Sequence, residues 1–86
     1  MLIEIITPVK KLYSGEAKLL QLPGEKGVFE ILTNHAAIIS SLNKGVVKVI
    51  DQNDKKFFFE ISGGVAECKS NNIIVLASEG EPSSQK

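Results

Sequence analysis

Apolar residues in this chain come in short runs, broken every few positions by glycine, proline, asparagine or serine. No window of a dozen residues carries a stripe at helical spacing between its breakers. Such punctuation leaves only short extended elements joined by tight turns, so the sequence reads as all β. Residues 2–7 form a first strand ended by Pro8, which lacks a ladder donor, and residues 10–13 a short second one closed by Ser14-Gly15. Residues 16–22 follow as a third. Pro23-Gly24 fits the two central positions of a type II turn, so the chain is expected to reverse there and return along residues 27–32. Residues 35–40 read as a short strand or extended loop, although Ala36, Ala37, Ile38 and Ile39 are also compatible with one helical turn.

Beyond a turn at Asn43-Lys44-Gly45, residues 46–51 and 56–62 are paired strands around the polar tip Gln52-Asn53-Asp54-Lys55. Ser62-Gly63-Gly64 separates these from residues 65–69, and Ser70-Asn71-Asn72 turns the chain into residues 73–77. Asparagine tolerates the left-handed conformation such a turn demands. From Ser78 the sequence is polar and expected to fray, giving a β-domain over 1–78 and a tail over 79–86. Nine or ten strands joined this tightly imply an antiparallel sandwich or flattened barrel. Phe57, Phe59 and Ile61 share one strand face, with Phe58 and Glu60 on the other.

With 86 residues there is room for one domain, and 43% hydrophobic against 23% charged composition is that of a soluble globular one. Ten basic residues, all lysine, balance ten acids, so no net field draws the chain to nucleic acid or an anionic surface. Without arginine it also lacks the forked donor of bidentate phosphate or guanine recognition. One cysteine makes no internal disulfide, and Met1-Leu2-Ile3-Glu4 is not a basic leader before an apolar stretch, which fits a reducing cytosolic setting. The apolar runs fall far short of the roughly twenty residues that span a bilayer.

Catalytic chemistry finds little footing. His35 and Cys68 are the sole residues of their kinds, so a zinc site would lack its usual pair spacing, and Cys68 in V-A-E-C-K reads as a small buried hydrophobe. Ser62 in E-I-S-G-G is not a nucleophile elbow. Gly24 and Gly27 match neither the dinucleotide fingerprint nor the phosphate loop, so no cofactor and no nucleotide is expected. Lys55 at a hairpin tip resembles the lysine that lipoyl or biotinyl carrier domains modify. In those domains, however, it lies midway between two similar halves, whereas Lys55 has 54 residues before it and 31 after.

Taken in order, G-V-F-E-I-L-T-N-H-A-A, L-N-K-G-V-V-K-V, I-S-G-G-V-A-E-C and N-N-I-I-V-L-A resemble the N-terminal domain of the epsilon subunit of F-type ATP synthases, called delta in mitochondria. The likeness runs over residues 3–78, with P-V-K-K-L-Y-S-G-E-A standing for the family's opening strand and turn. It implies a ten-stranded β-sandwich, in line with the nine or ten strands expected here, and a non-catalytic rotor subunit that binds gamma and rests on the polar loops of the c-ring. The resemblance further implies that Gly27, Val28, Phe29, Glu30, Ile31, Leu32, Thr33, Asn34, His35, Ala36 and Ala37 form a loop near the junction of those partners. It also implies a place on the cytoplasmic side of a bacterial inner membrane, peripheral through the complex.

The chain departs from the family's pattern in three places. Thr33-Asn34-His35-Ala36-Ala37 stands where many relatives read P-G-H-A-P, and losing both prolines is expected to loosen that loop. Asn71 takes a position that is often glycine. The sequence ends at Lys86, where relatives commonly continue into a two-helix domain, so the restraint of hydrolysis and the ATP binding associated with that hairpin are not expected here.

Overall fold

Every regular element in the computed structural model, which describes residues 1–83, is a β-strand. In chain order they are β1 (Leu2–Ile6), β2 (Lys11–Gly24), β3 (Gly27–Leu32), β4 (Ile38–Leu42), β5 (Gly45–Asp51), β6 (Lys56–Ile61), β7 (Gly64–Lys69), β8 (Asn72–Ala77) and β9 (Gly80–Ser83). Nine strands among the described residues fall within the nine or ten read from the sequence, one fewer than the ten the resemblance implies. One layer runs β4-β7-β8-β1 and ends on the first half of β2; the other joins the second half of β2 to β3 and to β5-β6-β9. Alternate residues turn inward from both layers. Ile3, Ile5, Ala66, Cys68, Ile73 and Val75 meet Leu20, Leu22, Ile31, Val47, Val49 and Phe59 in one core. Tyr13 packs between Phe57 and Phe59, with ring centroids 5.3 and 6.0 Å away.

Four expectations are corrected. Ser14-Gly15 does not end a strand: β2 continues through both, because Ser14 and Gly15 stay in register with Glu4 and Ile3 of β1. The break comes later. Opposite Asp51 and Ile50 of β5, Ala17 and Leu19 leave Lys18 as an extra residue, and a bulge of this kind bends a strand enough to carry it from one layer into the next. Lys18 then forms an ion pair with Asp54 at the β5–β6 tip.

Pro23-Gly24 is likewise strand, and the chain reverses two residues later over Glu25-Lys26, with Gly24 paired to Gly27. Pro23 is buried, its carbonyl accepts from the Asn43 amide at 2.8 Å, and its ring lies where any side chain at position 45 would sit, 2.7 Å from a Cβ built there. Packing against a glycine thus overrode local turn preference.

The sheet is also not wholly antiparallel, since β1 and β8 pair in parallel through Ile3–Ile73 and Ile5–Val75. Finally, the tail does not fray from Ser78. Residues 80–83 form β9 along the edge of β6, with Phe59 opposite Pro82 and Ile61 opposite Gly80. Covering an otherwise free strand edge beside two core residues outweighs polar composition, and Gly80 permits the approach, because a Cβ there would lie 2.9 Å from Leu12. Residues 84–86 of the expected tail lie outside the described residues.

Candidate interaction surface

Residues 27–37 are not a single loop. Gly27–Leu32 is β3, which pairs with β2 alone, and only residues 33–37 are irregular. The segment therefore runs from one end of the sandwich, at the β2–β3 turn, to the other. Its side chains divide by alternation: Ile31 is fully buried and Phe29 packs on the core, whereas Val28 and Leu32 are 65% and 52% exposed. Glu30 shares their outward face. At its far end Thr33, Asn34, Ala36 and Ala37 are exposed and His35 is half-buried.

That irregular end is held from two directions. The His35 amide donates to the Leu32 carbonyl at 3.1 Å, and His35 Nδ1 lies 2.7 Å from the Ala36 carbonyl, which can only accept, so the proton belongs on Nδ1. Asn34, with φ of 70°, gives its amide to Asn71 Oδ1 at 2.7 Å, and Asn71 Nδ2 returns a bond to Asn34 Oδ1 at 3.0 Å. Asn71 sits in the two-residue turn between β7 and β8, where Ser70 and Asn71 both have positive φ, 52° and 63°. Its carbonyl accepts from the Leu2 amide at 2.9 Å.

A second surface adjoins this segment, and the sequence reading passed over it. Outside the layer β4-β7-β8-β1, Ile39 (75% exposed), Leu76 (54%), Val65, Leu2 and Ile74 are all open. Register makes them neighbours: Leu76 lies opposite Val65 and Ile6, and Ile74 and Ile39 flank Glu67. The signal was in the chain. Residues 73–77 are apolar without alternation, and in a two-layer fold a strand apolar on both faces is one whose outer face something covers. An open groove between the start of β3 and β4 is lined by Val28, Phe29, Ile39 and Ser40, and so joins the two surfaces.

The remaining singled-out residues take structural places. Cys68 is buried, as its alternation implied, and burial pushes its thiol up from the ordinary value. Ser62 and Gly63 make the bend between β6 and β7. Phe58 is half-buried on the outer face of β6, between Lys48 and Ser83. At the β5–β6 tip Asp51 Oδ1 accepts from the Asn53 and Lys55 amides at 2.8 and 2.9 Å, and the Lys55 ammonium lies 5.4 Å over the Phe57 ring. Among the described residues, no three potential metal ligands converge, and no helix is long and apolar enough to cross a membrane.

Comparison with known proteins identifies the domain type. The family described as ATP synthase, Delta/Epsilon chain, beta-sandwich domain matches residues 1–83. The ATP synthase epsilon chain of Pelotomaculum thermopropionicum is 39% identical over 79 residues, covering 92% of this chain and 58% of that one. That of Campylobacter jejuni is 39% identical over 74 residues, covering 86% and 57%. The chain thus spans somewhat more than half the length of these relatives. In fold it superposes on a chain of the Euglena gracilis mitochondrial ATP synthase OSCP/F1/c-ring structure with a TM-score of 0.89 at 19% identity, covering 95% of this chain and 52% of that one. A chain of the Tetrahymena thermophila mitochondrial ATP synthase central stalk/c-ring structure gives 0.78 at 16%, covering 94% and 65%. Sequence and fold agree, and the carrier-domain reading of Lys55 falls away: this chain belongs to the delta/epsilon β-sandwich family of ATP synthase.

Proposed function

We propose that this domain is a non-catalytic rotor component of a proton- or sodium-translocating F-type ATP synthase, joining gamma to the c-ring so that ring rotation turns the stalk without slippage. The observation that carries the reading is the apolar surface running from Val28 across the groove to Ile39, Val65 and Leu76, set beside the exposed end of the segment 27–37. A surface this apolar on a small domain is a contact surface, and a relative named as an ATP synthase epsilon chain, with a fold neighbour from a central stalk/c-ring structure, supports reading gamma and the c-ring as the partners. The work is mechanical. Ladder hydrogen bonds and a close-packed core resist deformation, and the bulged strand β2 ties the two layers together. The domain would then sit at the cytoplasmic face of a bacterial inner membrane, held there by its partners.

Replacing Ala36 by glutamate tests the reading, because an interface near core density accommodates neither added volume nor an unpaired charge. The variant is expected to keep its circular dichroism and thermal midpoint while losing most co-purification with gamma and the c-ring from host membranes. Lys55 makes a poor control, since register places its hairpin tip at the same end as His35: Leu19 lies opposite both Leu32 and Ile50. Glu81→Lys, on β9 at the far edge of the same layer, is the better one and is expected to co-purify normally. Capture that survives Ala36→Glu but fails with Glu81→Lys would put the contact surface on the wrong part of the domain.

A further inference from the structure

We infer that Asn71 is a positioning residue: its carboxamide grips Asn34 in two-point fashion and so fixes His35, Ala36 and Ala37 against the β7–β8 hairpin for docking. The inference rests on the reading of this end as a contact surface. Its own ground is the geometry of two residues 37 positions apart. Asn71 Oδ1 takes the Asn34 backbone amide at 2.7 Å while Asn71 Nδ2 reaches Asn34 Oδ1 at 3.0 Å, so one planar group reads a backbone donor and a side-chain acceptor at once. Both residues sit at positive φ, 70° and 63°, where asparagine is tolerated and glycine costs less. Glycine at position 71 would satisfy its turn and make neither bond, and glycine at position 34 would keep the backbone bond and lose the side-chain one.

The grip has an anchored side and a free side. Asn71 belongs to a tight two-residue turn, and its carbonyl is tied to β1 through the Leu2 amide at 2.9 Å. Asn34 belongs to an exposed connection of five residues between β3 and β4. Constraint therefore passes from the sheet, through Asn71, to Asn34 and the residues that follow it. Docking gains from this because a loop already held in its bound shape loses less freedom on association. Without it, the connection would rely on the His35–Leu32 bond and on contacts made by His35 itself.

Glycine substitutions separate the grip from the fold, since they keep both left-handed turns. In the 86-residue chain, Asn71→Gly is expected to raise amide exchange at Asn34, followed by NMR, about tenfold, with little change in thermal midpoint. Binding to a detergent-solubilised gamma–c-ring subcomplex is expected to weaken about two- to tenfold, the range that one or two exposed hydrogen bonds can supply. Asn34→Gly, which keeps the backbone bond to Asn71 Oδ1 and loses only the side-chain acceptor, is expected to weaken it less, and the double variant no further than Asn71→Gly alone, because Asn71→Gly already removes both bonds. Asn71→Asp is expected to rescue, since the Asn34 carboxamide can turn over and donate from Nδ2 to the second carboxylate oxygen. Unchanged exchange at Asn34 in Asn71→Gly would overturn the grip. Faster exchange with unchanged binding would overturn the positioning role, provided Ala36→Glu abolishes binding in the same assay. Were Ala36→Glu also to bind normally, the contact reading itself would have failed, and the positioning role would fall with it.

Discussion

At Gly64 the backbone takes φ of 155°, and a Cβ there would stand 2.2 Å from the Leu76 carbonyl oxygen and 2.9 Å from Ala77 Cα. Both neighbours are backbone of the adjacent strand, so nothing flexible can yield. Gly64→Ala is expected to cost roughly 3 kcal/mol or more, from strain and overpacking together, whereas Gly63→Ala, with its nearest contact at 3.4 Å, should cost less. Chemical denaturation of the two variants checks the order. Titration acts at this scale too. Tyr13, through burial and then the nearby Asp51 charge, and Cys68, through burial, are both raised above their ordinary 10.0 and 9.0. In each case the native state holds the proton more tightly than the unfolded chain. The stability this lends is complete below the unfolded values and is lost as pH rises through the native ones. Denaturant midpoints should therefore fall as pH climbs above about 9, and Tyr13→Phe should flatten the upper part of that fall. Both glycines were legible in the sequence as backbone devices, and Cys68 as core, because each depends on local pattern. The Asn34–Asn71 pairing was not, because it depends on two turns meeting in space.

Strand β6 shows what alternation decides within an element. Phe59 is 5% exposed and touches Tyr13, while Phe58 lies half-buried outside, as the pattern from Phe57 to Ile61 implied. Phe59→Ala is expected to destabilise the fold by roughly 3 to 5 kcal/mol and Phe58→Ala by clearly less, and a reversed order in urea midpoints would mean the two faces are misassigned. Elements were misread wherever tertiary contact overruled local preference. Ser14-Gly15 and Pro23-Gly24 carry turn chemistry, yet pairing with β1 and packing on Gly45 keep them extended. The polar residues 80–83 carry no strand signal, yet they close the edge of β6. The outer apolar face escaped notice for another reason. The unalternating run 73–77 reads as one strand, and what its second face meets depends on how the layers are arranged around it.

At the scale of the whole molecule, the 86 residues contain neither a phosphate loop nor an arginine. Titration of the 86-residue chain with ATP is expected to release no heat, and a micromolar dissociation constant would refute that. The parallel pairing of β1 with β8 has a consequence in time. Strand β1 lies between β2 and β8, and Ile3 and Ile5 cannot be flanked on both sides until residues 73–75 have been made. Loop-closure entropy delays contacts of such wide separation. While this domain is being made, the edge of β1 that β8 will cover therefore stays open until residues 73–75 arrive, and the sandwich cannot close before them.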